Sequence, residues 1–140
     1  KDRRTLGVNT PHIVFNYLDY LLWKEDSNNY KDFSFEFRNS VEHWYPQHPS
    51  EFDKWEDGVD RFGNLCIIQR NVNSRFSNMP PEAKKSFENL VSKGSLKLRK
   101  MSDLTINKDH LAASYYWKEK GCEIHEEEMI KKLMLACHLT

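Results

Sequence analysis

The sequence predicts an α+β fold: a small strand–loop–strand–helix unit set in a mostly helical domain. Three observations carry this. NLCIIQR, bounded by Gly63 and Asn71, is short, apolar and β-branched, the mark of a strand. Upstream, FSFEF alternates apolar and polar residues with a strand period, and VEHWY reads as a strand end. Both flanks carry helical runs, IVFNYLDYLLW near the start and residues 124–137 near the end.

Taken in order, the first helix opens at Thr10-Pro11, with Thr as N-cap and Pro at the first helical position. Its run is apolar on most faces, which predicts a buried helix. SNNYKD is a turn. FSFEF and VEHWY are extended, and Pro46 and Pro49 stop the second. SEFDKWEDGVDRFG is a polar loop with room for one helical turn, punctuated by Gly58 and Gly63. After NLCIIQR, helices are expected over about 71–76 and 81–93, the second stopped by Gly94. SLKLRKM is a short amphipathic piece. Two more helices are expected over about 107–120 and 123–138, broken at Gly121. In the last one Ile124, Met129, Ile130, Leu133, Met134 and Cys137 form an apolar face. Glu127–Lys131 and Glu128–Lys132 are i,i+4 pairs on the other side.

A chain of 140 residues is one domain's length and can bury a core without metal or disulfide staples. The expected division is a central unit over about 38–92, with helical flanks at 10–25 and 95–139. The 21 basic and 21 acidic residues cancel, which neither favours nor excludes a nucleic-acid partner, because distribution matters more than the sum. Cys66, Cys122 and Cys137 are an odd count without CxxC spacing. That argues against a disulfide framework or a cysteine-rich zinc site, and for a reducing, cytoplasmic setting. No apolar run approaches the roughly 18 residues of a membrane span. The opening KDRRTLG lacks Met and leads into no apolar signal segment, so the chain is expected to be a piece of a longer protein.

The chemistry concentrates in VEHWYPQHP. Glu42 stands directly before His43, on the edge of a stiffened aromatic turn. A strand, a loop, a second strand opening with Gly63-Asn64, and a short helix bearing Asn71 and Asn73 can bring His43, Asn64 and Asn73 together. A neutral imidazole is a good general base near pH 7 and can take a proton from water attacking an ester. A carboxylate and an amide oxygen, as on Glu42 and Asn73, are hard donors suited to Mg²⁺ or Mn²⁺ rather than zinc. Strand alternation sends Glu42 and His43 to opposite sides, which allows them different tasks.

SVEHWYPQ, FGNLCII and RNVNSRFSNMPPEAKK, in that order, resemble the His-Asn-His (HNH) nuclease signature. More closely they are similar to the C-terminal nuclease domain of the GmrSD family of modification-dependent restriction endonucleases. The resemblance implies a ββα-metal finger embedded in the helical domain, acting as a DNA endonuclease in defence against foreign or modified DNA. It implies His43 as general base, Glu42 with Asn73 on the metal side, and Asn64 holding the loop and steadying His43. It places Lys84 or Lys85 against DNA phosphate. It also implies an upstream nucleotide-hydrolysing domain or subunit, and this chain carries no GxxxxGK[ST] loop. The last position of the three-letter motif is Asn73 rather than histidine, and zinc-binding cysteine pairs are absent.

Blander readings stand beside these. Read alone, His43 is as readily a structural histidine, and Asn73 a cap or turn residue. Trp44 and Tyr45 fit a core better than base stacking. His12, His48, His110, His125 and His138 carry no catalytic signal. The lysines and arginines of segment 70–100 form either a solvated face or a DNA-facing stripe. The competing functional class is a DNA-binding or interaction domain that keeps the finger fold without cutting. A third is a helical adaptor in which the Asn and His residues are caps.

Overall fold

The computed structural model describes residues 7–36, 38–49, 53–70, 76, 78–105, 117 and 119–138. Its elements are helix α1 (His12–Glu25), strand β1 (Ser40–His43), a 3₁₀ turn (Phe62–Asn64), strand β2 (Leu65–Ile68), and helices α2 (Pro81–Lys85), α3 (Glu88–Ser92), α4 (Leu96–Asp103) and α5 (Glu119–His138). The fold is α+β, with a two-stranded antiparallel sheet among helices.

The sheet divides the core. In register, Glu42 faces Cys66 and His43 faces Leu65. Every side chain of β2 is buried, and they alternate between two apolar clusters. Cys66 and Ile68 join Trp44, Phe76, Leu98, Met101 and Trp117. Leu65 and Ile67 join Phe15, Leu18 and Leu22 of α1, with Met129 of α5. A strand covered on both faces reads as a continuous apolar run, which is why LCII lacks a polar side. Cys66 and Cys122 are buried free thiols.

Two side chains tie α4 in place. Asp19 of α1 accepts from the Leu96 and Lys97 amides at 2.9 and 3.4 Å, and the Ser95 hydroxyl caps the Leu98 amide. These use donors that a helix start leaves unpaired. Lys97 is buried, and its Nζ donates to the carbonyls of Phe62, Gly63 and Leu65. Opposite, α5 crosses the 3₁₀ turn so closely that a Cβ on Gly63 would stand 2.4 Å from the Cys122 carbonyl. The Glu126 carboxylate there accepts from the Gly63 amide.

Several expectations are corrected. Helix α1 begins at His12 after Pro11, and the Thr10 hydroxyl accepts from the Gly7 amide instead of capping it. Only one face of α1 is buried; Ile13, Tyr17 and Tyr20 are exposed. FSFEF is not a strand over its described residues, because Arg38 takes its acceptors: the guanidinium donates to the Ser34, Glu36 and Lys93 carbonyls. The expected helix over 81–93 is two helices, parted at Ser86-Phe87. There the Ser86 hydroxyl donates back to the Ala83 carbonyl, an alternative to continued helix. Gly121 does not break α5, which runs through it, packed against the 3₁₀ turn. The buried face of α5 is Cys122, His125, Glu126, Met129 and Ile130; Ile124, Met134 and Cys137 are exposed. The expected helices over 71–76 and 107–120 lie largely outside the described residues.

Candidate active site

Strand β1 ends at His43 beside an open cleft of about 200 Å³ lined by Val41, Glu42, His43, Pro46, Gln47, His48 and Asn78. The imidazole is mostly covered, with 16 % of the side chain exposed. Its Nε2 lies 2.8 Å from Oδ1 of Asp60, and the same oxygen accepts from Gln47 Nε2 at 3.0 Å. Burial lowers the pKa of His43 and Asp60 opposes this, while Lys84 and His48 add to the lowering.

Glu42 is buried and turned away from His43 across the strand, as the pleat requires. Its Oε2 accepts from Lys84 Nζ at 2.5 Å. The same ammonium donates to the carbonyls of His43 (2.7 Å) and Trp44 (2.9 Å), and it lies over the Trp44 and Phe76 rings. Burial pushes the Glu42 carboxyl up and the Lys84 amine down, and each charge restrains the shift of the other. The pair is best described as an ion pair whose three donor contacts satisfy the ammonium.

Asn64 is fully buried and uses both ends of its amide. Oδ1 accepts from the Tyr45 amide and from Trp117 Nε1, at 2.9 and 2.8 Å. Nδ2 donates to the carbonyls of Tyr45 and Val59. It therefore clamps the exit of β1 to the loop before β2. Its side chain makes no hydrogen bond to the His43 ring.

The expected phosphate contacts are corrected for Lys84. With 0 % exposure and its ammonium committed beneath β1, Lys84 does not lie on a surface. Lys85 is half-buried and donates to the Ser102 carbonyl at 2.7 Å. Nor is segment 70–100 a basic stripe as a whole: Lys97 is also buried, and Arg99 is tied to Asp32 and the Ser92 carbonyl. Asn73 lies outside the described residues. Trp44 and Tyr45 are core, as their composition suggested.

A hard cation such as Mg²⁺ takes oxygen donors and keeps several waters, so it needs few protein ligands. Glu42 and Asn78 both line the cleft, and Oε1 of Glu42 accepts from no described residue. Among the described residues, no three His, Cys, Asp or Glu side chains gather as a metal cluster. Carboxylate and amide oxygens of this kind suit a largely hydrated hard cation.

Sequence reasoning passed over Asp60, Gln47 and Asn78. Asp60 sits in a loop crowded with acids, where no spacing singles it out. Gln47 and Asn78 lie inside the quoted PQ and SNMPP segments, and that was the available signal.

The family model for the C-terminal domain of the GmrSD restriction endonucleases matches residues 2–132. No curated protein and no solved structure matches the chain.

Proposed function

The chain belongs to the family of C-terminal domains of GmrSD restriction endonucleases, which implies a nuclease role; from that premise we propose a metal-dependent DNA endonuclease of HNH type. The observation that carries this reading is His43, held on Asp60 at the rim of a cleft that Glu42 also lines. His43 takes the proton of the attacking water, and the products are 5′-phosphate and 3′-hydroxyl ends. Glu42 and Asn73 would hold Mg²⁺ or Mn²⁺. When bound, the ion supplies Lewis-acid stabilisation of charge on the phosphate oxygens. Asn64 keeps the β1 exit in shape. Lys84 anchors the backbone of His43 from below, and phosphate contact is left to Lys85.

The wider reading is restriction of foreign or modified DNA, in the cytoplasm, beside an upstream nucleotide-hydrolysing domain or subunit. The family's description as a C-terminal domain supports a longer protein. Among the described residues no helix is long and apolar enough to cross a membrane.

One observation favours a second reading, a finger fold that binds DNA without cutting: an ammonium already occupies one oxygen of Glu42. Plasmid cleavage by the full-length protein, with Mg²⁺, with Mn²⁺ or with EDTA, separates the two. Cutting that depends on the ion supports the nuclease. Retained DNA binding with no cutting under any ion supports the second reading.

A further inference from the structure

We infer that Asp60 is a positioning residue for His43: it holds Nε2–H and leaves Nδ1 as the ring's basic nitrogen. The inference deepens the nuclease reading and rests on it. An ionised carboxylate only accepts hydrogen bonds. Oδ1 of Asp60 receives His43 Nε2 at 2.8 Å and the Gln47 side-chain amide at 3.0 Å. With two donors converging on one acceptor, the neutral imidazole carries its proton on Nε2. The nitrogen left to accept the proton of a water is then Nδ1, to which no described residue is hydrogen-bonded. The bond a histidine makes at one nitrogen decides what the other can do.

The loop is built to keep that carboxylate in place although it is 56 % exposed. Asn64 Nδ2 holds the Val59 carbonyl at 2.8 Å, on one side of Asp60. On the other side, Arg61 donates to Glu126 of α5 at 2.9 Å. Gly58, at φ +86°, makes the turn that the Arg61 amide closes. Both neighbours of Asp60 are thus anchored, one to the residue that clamps the β1 exit and one to α5. The other charged or titratable groups around His43 are Glu42 on its own strand, Lys84 from α2 and His48 from the following loop. None of these is hydrogen-bonded to the ring; Lys84 touches only the His43 backbone.

The test combines a spectroscopic and a kinetic readout on the full-length protein. Long-range ¹H–¹⁵N correlation of ring-labelled histidine reports the tautomer, with the His43 signal assigned by its loss in His43→Asn. Wild type is expected to show a protonated Nε2 and an unprotonated Nδ1. Asp60→Ala is expected to mix the tautomers and to lower kcat by about 10–100-fold, the range for losing a histidine's outer partner, with KM for DNA within about twofold. Asp57→Asn, which removes a neighbouring exposed acid of the same loop, should change neither. An unchanged His43 tautomer in Asp60→Ala overturns the inference, and so does a changed tautomer with wild-type kcat. Failure of the underlying reading looks different: His43→Ala then cuts as well as wild type, whatever the ring signal does in Asp60→Ala.

Discussion

Lys84 and Glu42 form an ion pair beneath β1, Nζ to Oε2 at 2.5 Å, with 0 % and 5 % of their side chains exposed. The strand end that presents His43 is fastened through this pair, because the same ammonium binds the His43 and Trp44 carbonyls. Breaking a buried pair from one side leaves an uncompensated charge. Lys84→Met should therefore cost about 3–5 kcal/mol in urea unfolding. Adding Glu42→Gln should recover part of that loss. A cost below about 1 kcal/mol would show that the pair is not buried as described.

The same carboxylate is proposed to hold the metal. Glu42→Gln should raise the Mg²⁺ concentration for half-maximal cleavage by about tenfold or more, the scale of removing a charged hard ligand. Titrating Mg²⁺ in the cleavage assay reads it directly. An unchanged half-saturation point would leave Glu42 as the counter-ion of Lys84 and nothing more.

Two glycines should respond in opposite directions. Gly63→Ala would set a methyl 2.4 Å from the Cys122 carbonyl and 2.7 Å from the Glu126 Cβ, so it should destabilise by about 1–3 kcal/mol or more. Gly121 lies inside α5, where glycine is less favourable than alanine because fixing its backbone costs more entropy. Gly121→Ala should stabilise by about 0.5–1 kcal/mol. Thermal unfolding of both variants checks the pair; equal effects would mean that α5 does not cross the 3₁₀ turn as closely as found.

Asp19 gives a pH signature in stability. Burial raises its pKa from 3.8 to about 6, against the pull of the Lys97 and Leu96 amides and of the Arg38 and Lys97 charges. The folded state thus holds this proton more tightly than the unfolded chain. Its contribution is present at low pH and is lost as pH rises through about 6. Asparagine keeps an acceptor for the α4 amides but does not titrate. The stability gap between wild type and Asp19→Asn should narrow by about 1 kcal/mol from pH 5 to pH 7.5. Denaturant unfolding at the two pH values measures it, and a gap that widens would contradict the assignment.

What the sequence made legible was local. NLCIIQR, bounded by turn residues and covered on both faces, announces β2. Ser95 before an amphipathic run announces α4. Glu42, His43 and Asn64 were singled out by order and spacing. The misreadings arose where distant side chains decide. FSFEF has a strand's alternation, but Arg38 supplies donors to its carbonyls. Lys84 and Lys97 look like part of a basic surface, yet both ammonium groups satisfy clustered carbonyls inside the fold. No local pattern carries that information. Asp60 reaches His43 only because the 58–61 turn folds back along β1.

In the proposed nuclease, His43 is the base of a phosphodiester hydrolysis. The most direct measurement is cleavage of plasmid by full-length His43→Ala beside wild type, in Mg²⁺, with unfolding curves recorded on both. His43→Ala is expected to lose about 10²–10⁴-fold in cleavage rate, the usual contribution of a general base, with near-wild-type stability. Wild-type-like cutting by the variant would contradict it.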